Sequence, residues 1–305
     1  MAPDPGEHFG IGPCRSGSAR PPTRGCFVTA SPLSGQVLLI TGAAGGLGSA
    51  TAFECSARGG IVVLADVDAA GLARVAATMP GECDTYELDV RDAEACNRMV
   101  EQILATRRRI DIVWANAGVS DYGPIDLLPE GTWQRIIDIN LIGAHNIVRA
   151  ALPAVMKAEG YVAFTCSWAS FAHQPGHSAY AAAKAGLEAF ANSLRLELSG
   201  TGVRVGSFHP GWIDTTLVTN KMSQPAFVAL LQALPGPFGA VTHTDRIVPH
   251  FVRALENRSS RMIYPRAGRL LLALRAVLTT APFTARSRAI APEIRRLSAR
   301  DMTRS

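Results

Sequence analysis

The chain has 305 residues, 48% of them hydrophobic and 18% charged. This composition excludes a disordered or fibrous chain and leaves apolar surface for one large core, because open α/β sheets often outgrow the usual domain length as one unit. A formal net charge of +5 allows anionic partners without specifying one. The tight cluster Arg107 to Arg109 is expected to be a solvated helix end, so no nucleic-acid partner is expected.

Residues 1–34 are rich in Pro, Gly, Ser and Arg, as in Arg20-Pro21-Pro22, and show neither helical nor alternating apolar period. They are expected to form a disordered extension. The run from Arg15 to Arg24 is basic, but Asp4, Glu7 and the lack of an amphipathic pattern argue against a transit peptide. The six cysteines (Cys14, Cys26, Cys55, Cys83, Cys96, Cys166) include no C-x-x-C pair and follow no apolar leader, which predicts reduced thiols and a cytoplasmic protein. Cys166 is expected to be a small buried strand residue rather than a reactive thiol.

From Gln36 onward, short apolar runs alternate with longer helical stretches, the pattern of βαβ units in an α/β fold with a doubly wound parallel sheet. Seven runs are expected as strands: Val37 to Ile40, Ile61 to Ala65, Thr85 to Leu88, Ile110 to Ala115, Tyr161 to Cys166, Val203 to Phe208 and Met262 to Tyr264. Most are continuously apolar, as strands covered on both faces are. The expected organisation is one domain over 35–265, with a lid at about 211–240, followed by a basic and apolar helical extension over 266–305.

The first strand runs into Thr41-Gly42-Ala43-Ala44-Gly45-Gly46-Leu47-Gly48, which opens a helix at Ser49. Glycines there let backbone approach a pyrophosphate, and the helix N-terminus offers it free N–H groups and partial positive charge. Gly42, Gly46, Leu47 and Gly48 are therefore candidate cofactor contacts. Asp66, ending the second strand, stands where an acid accepts hydrogen bonds from ribose hydroxyls and repels a 2′-phosphate, favouring NAD over NADP. Either Asp66 or Asp68 could instead cap the following helix, and Asp68 fits that role better. Asp89, followed by Val90, either binds adenine or starts a turn.

Tyr180 and Lys184 stand at i and i+4 in a segment, Ser178 to Leu198, that reads as one long helix, so they share a face. A nearby ammonium favours a phenolate, so Lys184 is expected to bring Tyr180 nearer to working pH for acid/base catalysis. With these motifs in this order, the chain resembles the short-chain dehydrogenase/reductase family in its classical form, over roughly residues 35–265. The T-G-x-x-x-G-x-G pattern falls on Thr41 to Gly48, the Asn-Ala-Gly motif on Asn116-Ala117-Gly118, the helix asparagine on Asn140, the serine on Ser167, and the Pro-Gly turn with its later threonine on Pro210, Gly211 and Thr215. The resemblance implies a Rossmann-like sheet and catalysis by Asn140, Ser167, Tyr180 and Lys184. Ser167 would hold the substrate oxygen, Tyr180 exchange its proton, Lys184 bind the nicotinamide ribose, and Asn140 support a water that links Lys184 to solvent. It further implies that Asn116, Ala117 and Gly118 pass beneath the adenosine, that Asp89 and Val90 belong to the cofactor set, and that Ile213 and Thr215 hold the carboxamide. No metal is expected. His173 and His177 are expected to be loop residues bordering the substrate mouth.

Trp212, Met222, Phe227, Leu230, Leu231 and Phe238 make the lid segment apolar. They either pack the lid against the core or admit an apolar secondary alcohol or ketone, steroid-like or lipid-like. The final stretch, with Leu270, Leu271, Leu272, Leu274, Val277 and Leu278 among arginines, is too short to span a bilayer and is expected to close the domain or contact a subunit, with weak membrane-surface contact as the alternative. The resemblance also implies a homodimer or homotetramer, formed through the helices of Asn140 and Tyr180. Two other functions remain: an NADP-dependent carbonyl reductase of the same fold, and a non-catalytic NAD-binding sensor. A methyltransferase shares the glycine turn but gives no reason for the spacing of Ser167, Tyr180 and Lys184.

Overall fold

The computed structural model describes residues 31–302. Most of the expected N-terminal extension lies outside these residues. Its last four positions are ordered, however: Leu33 is buried and Ser31 Oγ donates to Glu256 at 2.9 Å. The domain thus begins a few residues before the expected boundary, because Leu33 is itself a core residue.

Seven parallel strands form one sheet in the order β3-β2-β1-β4-β5-β6-β7. They are β1 Val37–Thr41, β2 Ile61–Asp66, β3 Cys83–Glu87, β4 Ile112–Ala115, β5 Tyr161–Thr165, β6 Arg204–Pro210 and β7 Arg261–Tyr264. All seven expected strands are present, with shifted ends. β4 starts late because Asp111, just before it, uses its carboxylate to accept the Val37 N–H at 2.9 Å. The order reverses between β1 and β4, and it is outside the carboxyl ends of strands at such a switch point that open α/β sheets bind ligands.

Because side chains alternate across a strand, the sheet has two separate apolar faces. Leu39, Val63, Val113 and Val162 face α3 Ala93–Arg107, α5 Gly143–Lys157 and α6 Ser178–Glu197. Leu38, Ile40, Val62 and Ile112 face α1 Gly46–Ala57, α2 Ala69–Ala76 and α9 Thr244–Glu256. α4 Thr132–Ile137 continues through a π turn, Asp138–Ile142, into α5. This continuous helix is long and apolar enough to cross a membrane by composition, yet Ile147, Val148, Ala151 and Val155 lie in the core against the sheet.

Local chemistry sets the helix ends. Asp68 caps α2 by accepting from Gly71 N at 2.8 Å, and Asp92 caps α3 by accepting from Ala95 N at 2.9 Å. The Arg107–Arg109 cluster is spent locally: Arg107 pairs with Asp84 and Glu82, Arg109 pairs with Asp111, and Arg108 ends α3 in the left-handed region. After β6 the chain forms α7 Thr216–Thr219 and α8 Pro225–Ala233, and after β7 it forms α10 Gly268–Ala273 and α11 Ala281–Met302. α11 packs on α8, with Ile294 buried among Phe227, Leu230 and Leu231.

Phe251 of α9 is fully buried and meets Trp114 and Phe208 at ring distances of 5.3 and 5.2 Å. Phe251→Ala is expected to lower unfolding stability by about 3–5 kcal/mol, read as a fall in the urea midpoint at unchanged m-value. A loss under about 1 kcal/mol would show that the cluster collapses around the gap.

Candidate active site

The glycine turn is held in shape from two sides. Gly42 and Gly46 have positive φ, 67° and 55°. A Cβ on Gly42 would sit 2.7 Å from Ala117 Cα, and one on Gly48 would sit 2.1 Å from Gly42 O, so only glycine fits at either position. Asn116 clamps the turn from β4, with Nδ2 donating to Thr41 O at 3.1 Å and Gly42 O at 3.2 Å. Asp66 braces it from β2: its carboxylate accepts from Ala44 N at 2.9 Å and Asp68 N at 3.1 Å. That bracing role leaves lone pairs for a ribose and was not evident from the sequence. Gly45 caps α1 with no side-chain acceptor, so the first N–H groups of the helix face outward as a phosphate cradle does.

The remaining cofactor candidates divide. Gly118 lies under the catalytic helix: a Cβ there would come within 2.7 Å of Asn140 Oδ1 and 3.5 Å of Lys184 Nζ. Thr215 meets the glycine turn, its Cγ2 3.2 Å from where a Gly46 Cβ would stand. Pro210 ends β6 and Gly211 follows it, with Gly211 N donating to Tyr264 O at 2.8 Å. The Ile213 side chain packs in the core rather than toward the cavity, so only its backbone is left for a ligand. Val90 is buried against Gly143. Asp89 gives both carboxylate oxygens to Arg91 and accepts Arg91 N at 2.9 Å. Its side chain thus starts a turn, and the half-exposed carboxylate keeps lone pairs for an adenine amino group.

The catalytic candidates converge. Ser167, at the carboxyl end of β5, caps a single 3-10 turn, Trp168–Ser170, and accepts from Ala169 N at 3.1 Å. Buried His209 supports it from β6, with Nδ1 3.3 Å from Ser167 O and Nε2 3.1 Å from Ser207 Oγ. Tyr180 and Lys184 project from α6, with Lys184 Nζ 5.5 Å from the Tyr180 ring centre and donating to Thr165 O at 2.7 Å. Asn140 sits in the π turn, a distortion found often at functional sites. Its Nδ2 donates to Val119 O and Ile136 O, while the buried Oδ1 has no partner. An unpaired buried acceptor beside Lys184 suits a bridging water.

The electrostatics differ from expectation. Burial pushes the Tyr180 phenol up to about 12, against the opposing hydrogen bond with Ser167. The same burial pushes Lys184 down to about 8. Desolvation thus sets the direction of the phenol's shift, and the expected pull of the Lys184 ammonium does not figure in it, so Tyr180 rests in its acid form at neutral pH. Burial also raises Cys166 to about 12, which makes it inert.

Ser167 and Tyr180 open into a cavity of about 320 Å³, a size suited to a small organic ligand. Trp212, Leu230 and Phe238 line it as expected. Met222 does not, being exposed, and Phe227 and Leu231 are buried behind the wall. His177 lines the cavity from inside the fold rather than its mouth. It is 5% exposed, stands among Tyr122, Trp212 and Phe227, and burial lowers it to about 3, so the imidazole is neutral. His173 lines the cavity from an exposed position. The outer wall comes from the C-terminal extension, through Leu271, Leu274, Leu278, Phe283 and Ile290. The apolar period of that segment was visible in sequence, but its partner across the fold was not. Among the described residues no His, Cys, Asp or Glu cluster could hold a metal.

A family model described as short chain dehydrogenase matches residues 36–226. The chain is similar to the 3-oxoacyl-[acyl-carrier-protein] reductase of Thermotoga maritima, 31% identical over 221 residues that span 71% of this chain and 89% of that protein. It is also similar to (-)-trans-carveol dehydrogenase of Rhodococcus erythropolis, 33% identical over 207 residues that span 62% of this chain and 75% of that protein. Among solved structures, a metagenomic short-chain oxidoreductase in complex with NADP matches with a TM-score of 0.57 at 32% identity, covering 59% of this chain and 84% of that one.

Lys184 binds its proton less tightly folded than unfolded, about 8 against 10.5. The unfolded chain therefore holds more protons across that window, and stability rises with pH through it. Relative to Lys184→Met, the wild type is expected to gain about 3 kcal/mol between neutral pH and pH 11, read from guanidinium melts of both proteins. A flat difference would show that Lys184 titrates normally.

Proposed function

The chain belongs to the short-chain dehydrogenase family, an oxidoreductase acting on CH–OH groups with NAD or NADP, and from that premise we propose that it interconverts an apolar secondary alcohol and its ketone with NAD. The observation that carries this reading is the convergence of Ser167 and Tyr180 on an apolar cavity, with Lys184 next to the Tyr180 ring. A carveol dehydrogenase among the relatives supports an apolar alcohol.

The nicotinamide cofactor, when bound, supplies the hydride exchange. The chain's own residues do the rest. Gly42, Gly46, Leu47 and Gly48 with the start of α1 hold the pyrophosphate, Asp66 accepts from the adenosine ribose, and Asn116, Ala117 and Gly118 form the bed beneath the adenosine. Ser167 Oγ donates to the substrate oxygen where negative charge develops. Tyr180, protonated at rest, gives its proton to that oxygen in reduction and takes it back in oxidation. Lys184 holds the nicotinamide ribose, and Asn140 Oδ1 accepts from a water that passes protons to Lys184. Thr215 and the Ile213 backbone are assigned to the carboxamide.

The Asp66 carboxylate, followed by Val67 rather than a cation, supports NAD, since a 2′-phosphate would meet like charge there. NADP is the rival reading, favoured by the NADP-bound relative. We also propose a homo-oligomer through α4, α5 and α6, where Trp133, Ile142, Met156 and Leu196 are exposed apolar residues.

Oxidation of apolar secondary alcohols is expected to produce NADH, with Tyr180→Phe lowering kcat by about 10²–10⁴-fold while NADH still binds by fluorescence. Turnover of short charged hydroxy acids alone would sink the substrate reading. For the cofactor, kcat/KM is expected to favour NAD by at least about tenfold, and Asp66→Ser to narrow that ratio. A wild-type preference for NADP would reverse the assignment of Asp66.

A further inference from the structure

The outer end of the substrate cavity differs in chemistry from the rest. Its floor and walls are apolar or neutral, and no Asp or Glu lines it. One permanent charge does: Arg286, near the start of α11, beside His173, Gln174 and Ser287. Within the extension Arg275 pairs with Glu188, Arg295 with Asp126 and Arg296 with Glu293, and of the arginines left without such a pair only Arg286 lines the cavity. Arg286 has no ion-pair or hydrogen-bond partner among the described residues.

The rim around it is fixed. Ser287 Oγ donates to Gln174 Oε1 at 2.9 Å, which ties α11 to the loop between Ser167 and Tyr180 and leaves the Gln174 NH₂ as a donor. Ile290, Ile294 and Leu297 pack α11 onto the α8 cluster. At the other end, Gly268 of α10 lies against the Trp168 indole, so closely that a Cβ there would be 2.1 Å from Nε1. The extension is therefore a seated wall with a guanidinium at its edge. An uncompensated guanidinium at the mouth of an apolar cavity selects a planar anion, which it can bind through two parallel N–H bonds.

We propose that the substrate is amphiphilic: an apolar body carrying the reacting alcohol or ketone at Ser167 and Tyr180, and a carboxylate at its far end held by Arg286 with Gln174. This rests on the reading above that the cavity takes an apolar secondary alcohol. It adds that the C-terminal extension, and not the sheet, sets which end of the substrate faces outward.

The test uses penultimate-carbon hydroxy fatty acids of graded chain length, each with its methyl ester, assayed on the full chain with NAD and NADP. The wild type is expected to prefer one length of acid over its ester by about tenfold in kcat/KM, mainly through KM. Arg286→Gln is expected to abolish that preference, and Arg286→Glu to invert it. Binding of the matching alkanoic acid, followed by tryptophan emission without turnover, is expected to weaken in the same order. Equal use of acid and ester by the wild type, or equal loss on both in Arg286→Gln, would overturn the carboxylate inference and leave the apolar-alcohol reading standing. No turnover of any acid or ester would overturn the carboxylate inference, and no turnover of other apolar secondary alcohols besides would overturn both.

Discussion

The site depends on one hydrogen-bonded seam across the carboxyl ends of β1, β4 and β5. Trp114 Nε1 donates to Thr165 Oγ1, Thr165 Oγ1 donates to Asn116 Oδ1, and Asn116 Nδ2 donates to the carbonyls of Thr41 and Gly42. Thr165 is also where Lys184 is anchored, through its carbonyl. The glycine turn and the helix of Tyr180 and Lys184 are thereby tied to one another through partly buried polar groups. Each member gains from its partner, so the seam gives these strand ends a defined geometry.

Dryness also decides the protonation states. Tyr180, Lys184 and His177 are each shifted toward their neutral forms, and burial is the leading cause in every case. A tyrosine at rest as an acid is ready to protonate a carbonyl oxygen. The same group must be deprotonated before it can act on an alcohol and reprotonated after each reduction, so the proposed path past Asn140 Oδ1 would carry one proton per turnover in either direction. Neutral His177, boxed by Tyr122, Trp212 and Phe227, then serves the cavity as an aromatic surface and not as a second acid.

Most of this was legible where the signal is local. Continuously apolar strands, the glycine turn and the i, i+4 pair Tyr180 and Lys184 follow from periodicity and short spacing, and the seven strands differ from expectation only at their ends. Features set by contacts between distant segments were not legible. Asp66 braces Ala44 twenty-two residues away in sequence, Asp89 is claimed by Arg91, and His177 turns inward because Tyr122 and Phe227 arrive from other parts of the chain. The phenol shift of Tyr180 failed for a related reason: the i, i+4 rule brings a charge near but says nothing of how much water remains around it.

The cavity is lined from two stretches of chain, one inside the family span and one beyond it. Ser167, Tyr180 and Lys184 lie within the matched family span of 36–226, so the reaction class follows from family membership. Leu271, Leu274, Leu278, Phe283, Arg286 and Ile290 lie beyond it, so the outer wall takes nothing from that match. Yet the two stretches are mechanically joined next to the reacting centre, because Trp168, directly after Ser167, is the residue on which Gly268 rests. A shift of the wall would move the indole, and with it the turn that Ser167 caps. The proposed choice of substrate therefore rests on a wall outside the family span that touches the turn next to Ser167, and the substrates of relatives bear on the reaction more than on that choice.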